Sequence, residues 1–306
     1  MIQAGLRYQL AESLEAPELM EKEDIRELLP VRLPDGHKGT FGKILIVAGS
    51  AGMTGAVYLS ASSAYRTGCG LVGLAVPKSC GETLSILIPE AVLTLMPEKE
   101  GHMGLPEGTL VKDLVDSADA VLVGPGLSCN EETHELLKSL VECCEKPMVM
   151  DADGLNLLAE DKSLLENLRC EAIITPHPAE MGRLTGLDVS EVQGDRIALA
   201  RKFADEYGVT VVLKGAGTVI AANDGRISVN STGNDGMATA GAGDVLAGVI
   251  ASLLGQGLSP YEAAVTGAYI HGLAGDFAAR EKGTASLIAS DIVANIPQAF
   301  NNVLTV

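Results

Sequence analysis

An α/β fold with a mostly parallel sheet, covered by helices on both faces, is predicted by three observations. Short apolar runs alternate with helical stretches along most of the chain, which is how strands buried on both faces and their crossover helices read. The 35 glycines mark the ends of these runs rather than forming a low-complexity tract. Past residue 217 the pattern changes to two short strands joined by Asn223-Asp224-Gly225, a hairpin signal.

In chain order, residues 1–22 have little periodicity and read as a leader or linker. A short helix is expected at 23–29. KILIVAGS (43–50) reads as a buried strand entering a turn, and TGAVYLSASSAYRTG (54–68) as a helix with small residues on its packed face. LVGLAVP (71–77) and AVLTLMP (91–97) are strands, and DAVLVGPG (119–126) is a strand ending in Gly-Pro-Gly. A polar helix follows at 131–144. PMVMDADG (147–154) and EAIITPHP (171–178) are strands with polar turns at their carboxyl ends. A helix at 194–207 leads to VTVVLKG (209–215). GTVIAAND (217–224) and GRISVN (225–230) form the hairpin, and helices at 243–255, 260–280 and 290–301 close the chain. No repeat or linker divides residues 23–306, so one domain is expected.

Composition narrows the function. With 47% apolar and only 3% aromatic residues and no Trp, the core must be built from Ala, Val, Leu and Ile. A net charge of −18 disfavours nucleic acid and anionic membrane surfaces as partners. A nucleotide is still admissible, because local backbone amides overcome a distant field. Six cysteines without a CxxC pair give neither a zinc spacing nor a disulfide framework, and a reduced cytoplasm is the simplest location. The N-terminus lacks the pattern of a signal peptide, and no apolar run approaches a membrane span.

In open parallel sheets, ligands sit beyond the carboxyl ends of the strands. AGSAGMTG, GPG, DADG, TPHPAE and LKGAGT all fall there. There is no P-loop. A GxGxxG match at Gly68, Gly70 and Gly73 follows a helix and opens a strand, the reverse of a dinucleotide fingerprint. The strongest stretch is NDGMATAGAGDVLAGVIASLLG (234–255). Gly241, Ala242 and Gly243 precede an all-apolar helix, whose unpaired N–H groups and partial positive charge suit a phosphate. Asp244, at the same place, is either a base that takes a proton from an attacking hydroxyl or a helix cap; spacing does not choose between them. His177 lies between two prolines. Asp151 and Asp153 read as a metal or substrate pair, or Asp153 as a cap. Lys214 reads as a phosphate contact or a surface lysine, and His37-Lys38-Gly39 as a turn closing over a ligand or a plain loop. The five histidines are too scattered for a metal site.

These pieces together resemble a known family. HKGTFGKILIVAGS (37–50), GMTGAVYLSASSAYRTGCGLV (52–72), VGPGLS (123–128), DADGLN (151–156), ITPHPAE (174–180), VVLKGAGTVI (211–220), NSTGNDGMATAGAGDVLAG (230–248), AYIHGLAGD (268–276) and SLIASDIVANIP (286–297) are similar to the nucleotide-dependent NAD(P)H-hydrate dehydratases. GAGD alone is shared with many ribokinase-like kinases; the combination of HKG–FG, GPG and TPHPAE is more specific. The resemblance implies a ribokinase-like three-layer αβα sandwich and a repair reaction. Hydrated NADH or NADPH (NADHX, NADPHX) is phosphorylated on its C6 hydroxyl by ADP or ATP with Mg²⁺, and loss of phosphate restores the double bond. Phosphate leaves more readily than hydroxide, so one steep barrier becomes two lower ones.

By the same resemblance, Asp244 is the base and a substrate contact, and Gly241, Ala242 and Gly243 form the anion hole. Gly243 and the run Lys214, Gly215, Ala216, Gly217 and Thr218 bind nucleotide, while Ala56, Gly126 and His177 contact the hydrated dinucleotide. No protein ligand for Mg²⁺ is implied. Many relatives have GGTGD where this chain has Ala240-Gly241-Ala242-Gly243-Asp244; Gly243 and Asp244 are kept. A homo-oligomer, tetrameric as in relatives, is expected. Too few residues precede His37 for the epimerase domain found in front of some relatives, so that domain is expected to be missing. Two rival readings are a thiazole- or pyrimidine-alcohol kinase and a non-catalytic nucleotide sensor.

Overall fold

The apolar runs become strands because each finds apolar partners on both sides. A computed structural model describes residues 17–305. Its strands are β1 (Glu18–Leu19), β2 (Lys43–Val47), β3 (Leu71–Pro77), β4 (Val92–Met96), β5 (Glu98–Lys99), β6 (His102–Met103), β7 (Ala120–Val123), β8 (Met148–Met150), β9 (Ala172–Ile174), β10 (Thr210–Leu213), β11 (Val219–Ala221) and β12 (Ile227–Val229). Its helices are α1 (Lys22–Leu28), α2 (Thr54–Thr67), α3 (Gly81–Leu87), α4 (Leu110–Asp116), α5 (Glu131–Cys143), α6 (Asp153–Glu160), α7 (Ser163–Glu166), α8 (Pro178–Thr185), α9 (Val189–Gly194), α10 (Arg196–Tyr207), α11 (Ala242–Gly255), α12 (Pro260–Lys282) and α13 (Ala289–Leu304).

Ten strands form one sheet in the order β1-β12-β11-β10-β9-β8-β7-β2-β3-β4, while β5 and β6 pair separately. Within the large sheet β11 alone runs antiparallel to its neighbours, paired to β12 through Ile220↔Ser228 and to β10 through Val212↔Ile220. Strand side chains alternate between faces. In β2, Ile44 and Ile46 enter the core beneath α2, α11, α12 and α13. Leu45 and Val47 enter the core beneath α5, α6 and α10. This is the expected three-layer arrangement.

The order of strands creates the crevice. From the centre, the chain runs from β2 outward through β3 to β4, and from β7 outward through β8 and β9 to β10. The adjacent β2 and β7 therefore flank a topological switch point, where carboxyl-end loops part and leave room for a ligand. The two loops are tied across it by Gly49 N–H donating to Pro125 C=O at 2.9 Å.

Several elements differ from the sequence expectations. α3, α4 and α7 to α9 were not foreseen, because each has only four to eight residues and too few turns to show a period. Within the stretch read as a leader, residues 1–16 lie outside the described residues. Glu18–Leu19 pairs in parallel with β12, and Ser231 Oγ donates to Met20 C=O at 2.8 Å. Arg26 of α1 reaches the carbonyls of Val303 and Thr305 at 2.7 and 2.8 Å, joining α1 to the end of α13. Gly68 ends α2 with φ 107° and β3 follows, which is the reversed context expected for the GxGxxG match.

Candidate active site

The site begins with α11. Its N-cap is Gly241, in the left-handed region at φ 88°, and no side chain caps the turn. Asp244 is therefore not spent as the helix cap; the Ala242 amide donates to Thr239 C=O at 3.4 Å, and the next amides, of Gly243 and Asp244, are left to a ligand. A Cβ on residue 241 would stand 2.5 Å from Leu59 Cδ1 and 3.1 Å from Ala289 Cβ, so both the turn and its packing require glycine. α11 is held tightly against α2: Ser60 Oγ donates to Asp244 C=O at 3.1 Å, and a Cβ on Gly248 would meet Ser60 O at 2.1 Å.

Lys214 leaves the end of β10 and points to the same place. Its backbone N–H donates to Pro176 C=O at 2.8 Å. Its Nζ lies 2.7 Å from Asp151 Oδ1 and 3.7 Å from Glu180 Oε2. It is also 3.3 Å from where a Cβ on Gly243 would stand, so the ammonium reaches the helix end because residue 243 has no side chain. The bland reading of a surface lysine fails. Asp151, 1% exposed, also accepts the Thr175 hydroxyl at 2.7 Å.

One ammonium thus stands among three carboxylates, and the titration of Lys214, Glu180 and Asp244 reflects it. Burial pushes the Asp244 carboxyl up to about 7; Asp151, Asp153 and Glu180 add to the effect and Lys214 opposes it. Burial likewise raises Glu180, with Lys214 opposing. Burial works against the Lys214 ammonium, but Asp151, Glu180 and more distant Asp244 together hold it above the ordinary lysine range. Asp244 is therefore poised to change charge near neutral pH, as a general base should be.

The other expected residues form two further groups. Gly126, at φ 61°, packs where a Cβ would stand 3.2 Å from Ala56 Cβ and 2.9 Å from Met53 Cβ, so Ala56 and Gly126 meet across the switch point. His177 is the N-cap of α8: Nδ1 accepts from the amides of Ala179 and Glu180 at 3.1 and 3.2 Å, and Glu180 Oε2 accepts the His177 amide at 2.7 Å. Its Nδ1 is thereby an acceptor, leaving Nε2 to carry the proton. Burial, Lys214 and Arg183 depress its pKa, so the ring is neutral. The run 214–218 is a turn closed by Thr218 Oγ1 donating to Gly215 C=O at 3.1 Å.

Two readings that the sequence left open are narrowed by the structure. Asp151 and Asp153 are engaged with different partners. Asp151 faces Lys214, while Asp153 accepts the Ser128 amide at 2.8 Å and does not cap its own helix. Among the described residues no cluster of three or more His, Cys, Asp or Glu is arranged to hold an ion. The His37-Lys38-Gly39 turn precedes β2 and so lies at the amino ends of the strands. Lys38 C=O packs over Gly70, and the nearby Gly42 packs on Gly255, the last residue of α11. α11 is about 20 Å long, and the turn is at the end remote from Asp244.

A family model described as NAD(P)H-hydrate dehydratase matches residues 44–298. The chain belongs to the NAD(P)H-hydrate dehydratase family. It is 42% identical over 271 residues to the ADP-dependent (S)-NAD(P)H-hydrate dehydratase of Neisseria meningitidis, covering 85% of this chain and 86% of that one. It is 44% identical over 284 residues to the bifunctional NAD(P)H-hydrate repair enzyme of Moorella thermoacetica, covering 90% of this chain but 52% of that one. The chain thus spans about half the length of the bifunctional relatives it matches. The ADP/ATP-dependent NAD(P)H-hydrate dehydratase of Bacillus subtilis, co-crystallised with ATP/Mg²⁺, superposes with a TM-score of 0.82 at 29% identity, covering 95% of this chain and all of that one.

In this member of the NAD(P)H-hydrate dehydratase family, sequence reasoning missed Thr175, Glu180 and Arg196 as parts of the site. Arg196 Nη2 and Nη1 donate to Leu213 and Ala216 carbonyls at 2.7 and 2.8 Å, bracing the 214–218 turn from α10. Nothing in the local pattern marks an arginine at a helix start as a loop brace. Glu180 was within sight: His177-x-x-Glu180 has the spacing of a capping box.

Proposed function

We propose that the chain repairs hydrated NADH and NADPH, using ADP or ATP as phosphoryl donor. The observation that carries this is the convergence of a partly buried, near-neutral base, a paired ammonium and an uncapped helix end. Asp244 removes the proton from the C6 hydroxyl as its oxygen takes the terminal phosphoryl group. Gly241, Ala242 and Gly243 hold the moving group at the helix end, and Lys214 adds charge beside them. Such fixed donors act strongly where water is excluded. The C6–O bond to phosphate then breaks as the neighbouring ring carbon gives up its proton to solvent, and that C–H electron pair restores the double bond. Ala56, Gly126 and His177 hold the dinucleotide, and the 214–218 turn, braced by Arg196, holds the nucleotide.

Three carboxylates around one ammonium repel a bare phosphate. The site therefore suits a magnesium–nucleotide complex, whose ion offsets phosphate charge. We treat Mg²⁺ as part of that substrate and assign it no protein ligand. A homo-oligomer, tetrameric by family resemblance, is also proposed. Ile86, Val92 and Leu95, on and beside the outermost strand β4, are exposed, and light scattering would read the mass. Among the described residues no helix is long and apolar enough to cross a membrane; a cytoplasmic location belongs to the same proposal.

The test is incubation with hydrated NADH, Mg²⁺ and each nucleotide in turn, following the return of reduced-nicotinamide absorbance and release of inorganic phosphate. Asp244→Asn should lower turnover by about 10²–10⁴-fold with nucleotide still bound. A stable phosphate ester on a thiazole or pyrimidine alcohol, with no activity on the hydrate, would favour the kinase instead.

A further inference from the structure

Lys214 is the cation of the site, yet its position is unfavourable unless something holds it. The end of α11 carries a partial positive charge, and Lys214 Nζ lies against it beside Gly243. Left to itself, a flexible ammonium there would turn to a free carboxylate. Asp244, which adds to the field on Lys214, is one, and pairing with it would neutralise the base. Instead, among the described residues, the ion pairs of Lys214 are to Asp151 at 2.7 Å and, more loosely, to Glu180 at 3.7 Å.

Of these two partners, Asp151 is the one free to control the lysine. Glu180 is already engaged: its Oε2 accepts the His177 amide at 2.7 Å and its Oε1 lies 3.3 Å from His177 Nε2. The Asp151 carboxylate is almost wholly buried, and its Oδ1 takes both the Lys214 ammonium and the Thr175 hydroxyl at 2.7 Å. Thr175 in turn lies at the end of β9, and its amide donates to Met150 C=O at 3.1 Å, so the carboxylate is fixed across two adjacent strands. Asp151 Oδ2 is directed to the same helix end, 3.8 Å from where a Cβ on Gly243 would stand.

We propose that Asp151 is a positioning residue for phosphoryl transfer: held by Thr175, it keeps the Lys214 ammonium beside the amide end of α11 and off the Asp244 carboxylate. The cation then meets the incoming phosphoryl group, and the base remains free for the substrate proton. This rests on the proposed dehydratase reaction for its chemistry, but not for its geometry. No bond is made or broken at Asp151 itself. The charged or titratable groups near Asp244 are Asp151 and Asp153 after β8, Glu180 on α8 and Lys214 after β10. His271 on α12 is close by and neutral, its pKa lowered to about 4 by burial.

Asp151→Asn is the direct test. Removing this charge takes away one repulsion on the Asp244 carboxylate and frees Lys214 to pair with it, so the Asp244 carboxyl should titrate at lower pH. Carbon-13 NMR of labelled aspartate reads that without any substrate. Turnover should fall about 10²-fold, as for a misplaced catalytic group, and its acid limb should move to lower pH. ADP or ATP with Mg²⁺ should bind as tightly as before or tighter, since a carboxylate beside the phosphate has gone; a site merely distorted would bind it more weakly. Thr175→Val should move every readout in the same direction by less, and it decides the matter if Asp151→Asn does not fold. An unmoved Asp244 titration, or lost turnover accompanied by weakened nucleotide binding, overturns the proposal. Wild-type protein inactive on hydrated NADH would instead sink the dehydratase reading, leaving the NMR and binding results to judge Asp151.

Discussion

Replacing Asp244 by Asn should make the protein more stable at alkaline pH while removing its activity. Burial raises the Asp244 carboxyl from 3.8 to about 7, which corresponds to roughly 4 kcal/mol of unfavourable ionisation in the folded chain. Below the unfolded value of 3.8 the acid is protonated in both states and ionisation carries no penalty. Between there and about 7, the unfolded chain has released the proton and the folded chain still holds it, so stability falls as pH rises. Above about 7 the full penalty is present. Asn never ionises and escapes it, although a partly buried amide short of partners gives up about 1–3 kcal/mol. The variant should therefore be about 1–3 kcal/mol more stable than wild type near pH 8, with the advantage gone or reversed near pH 4. Urea unfolding of both proteins at the two pH values measures this. A variant that is weaker at both, or a difference that does not change with pH, would refute the claim that the base is held against a burial penalty. The same group should give the rate an acid limb near 7.

Gly243→Ala places a methyl 3.3 Å from Lys214 Nζ without disturbing a helical backbone position. Thermal unfolding should show stability unchanged or raised by up to about 1 kcal/mol, while turnover falls about tenfold or more as the ammonium is displaced; unchanged turnover would mean that the lysine does not serve the reaction from this position. Arg196→Ala removes both donors to the 214–218 turn. The KM for nucleotide should rise about tenfold or more, each charge-assisted bond contributing about 1.5–3 kcal/mol, with kcat much less affected; a fall in kcat alone would show that the brace acts elsewhere.

Much of the fold was legible because its signal is local. Four of the expected strands, KILIV, AVLV, MVM and TVVL, are apolar on both faces and lie inside the sheet. The hairpin signal at Asn223-Asp224-Gly225 led to the one reversed strand, β11. Around the site, glycine at 241 and 126 announced backbone that other residues adopt with strain, and the apolar run after Asp244 announced a buried helix. His177 was noticed for its prolines but explained by its capping bonds. The His37-Lys38-Gly39 turn was left between a ligand contact and a plain loop; its place before β2, at the amino ends of the strands, favours the plain loop.

The sequence by itself determined the alternation of strand and helix, the glycine turns at the strand ends and the carboxylate at the mouth of an apolar helix, since each depends on residues a few positions apart. Only the tertiary structure decided which carboxylates share Lys214 and how hard it is to ionise Asp244. Asp151 and Lys214 are 63 residues apart and meet because β8, β9 and β10 lie side by side. That adjacency, and the burial that comes with it, arises from the packing of whole layers, which no local spacing encodes.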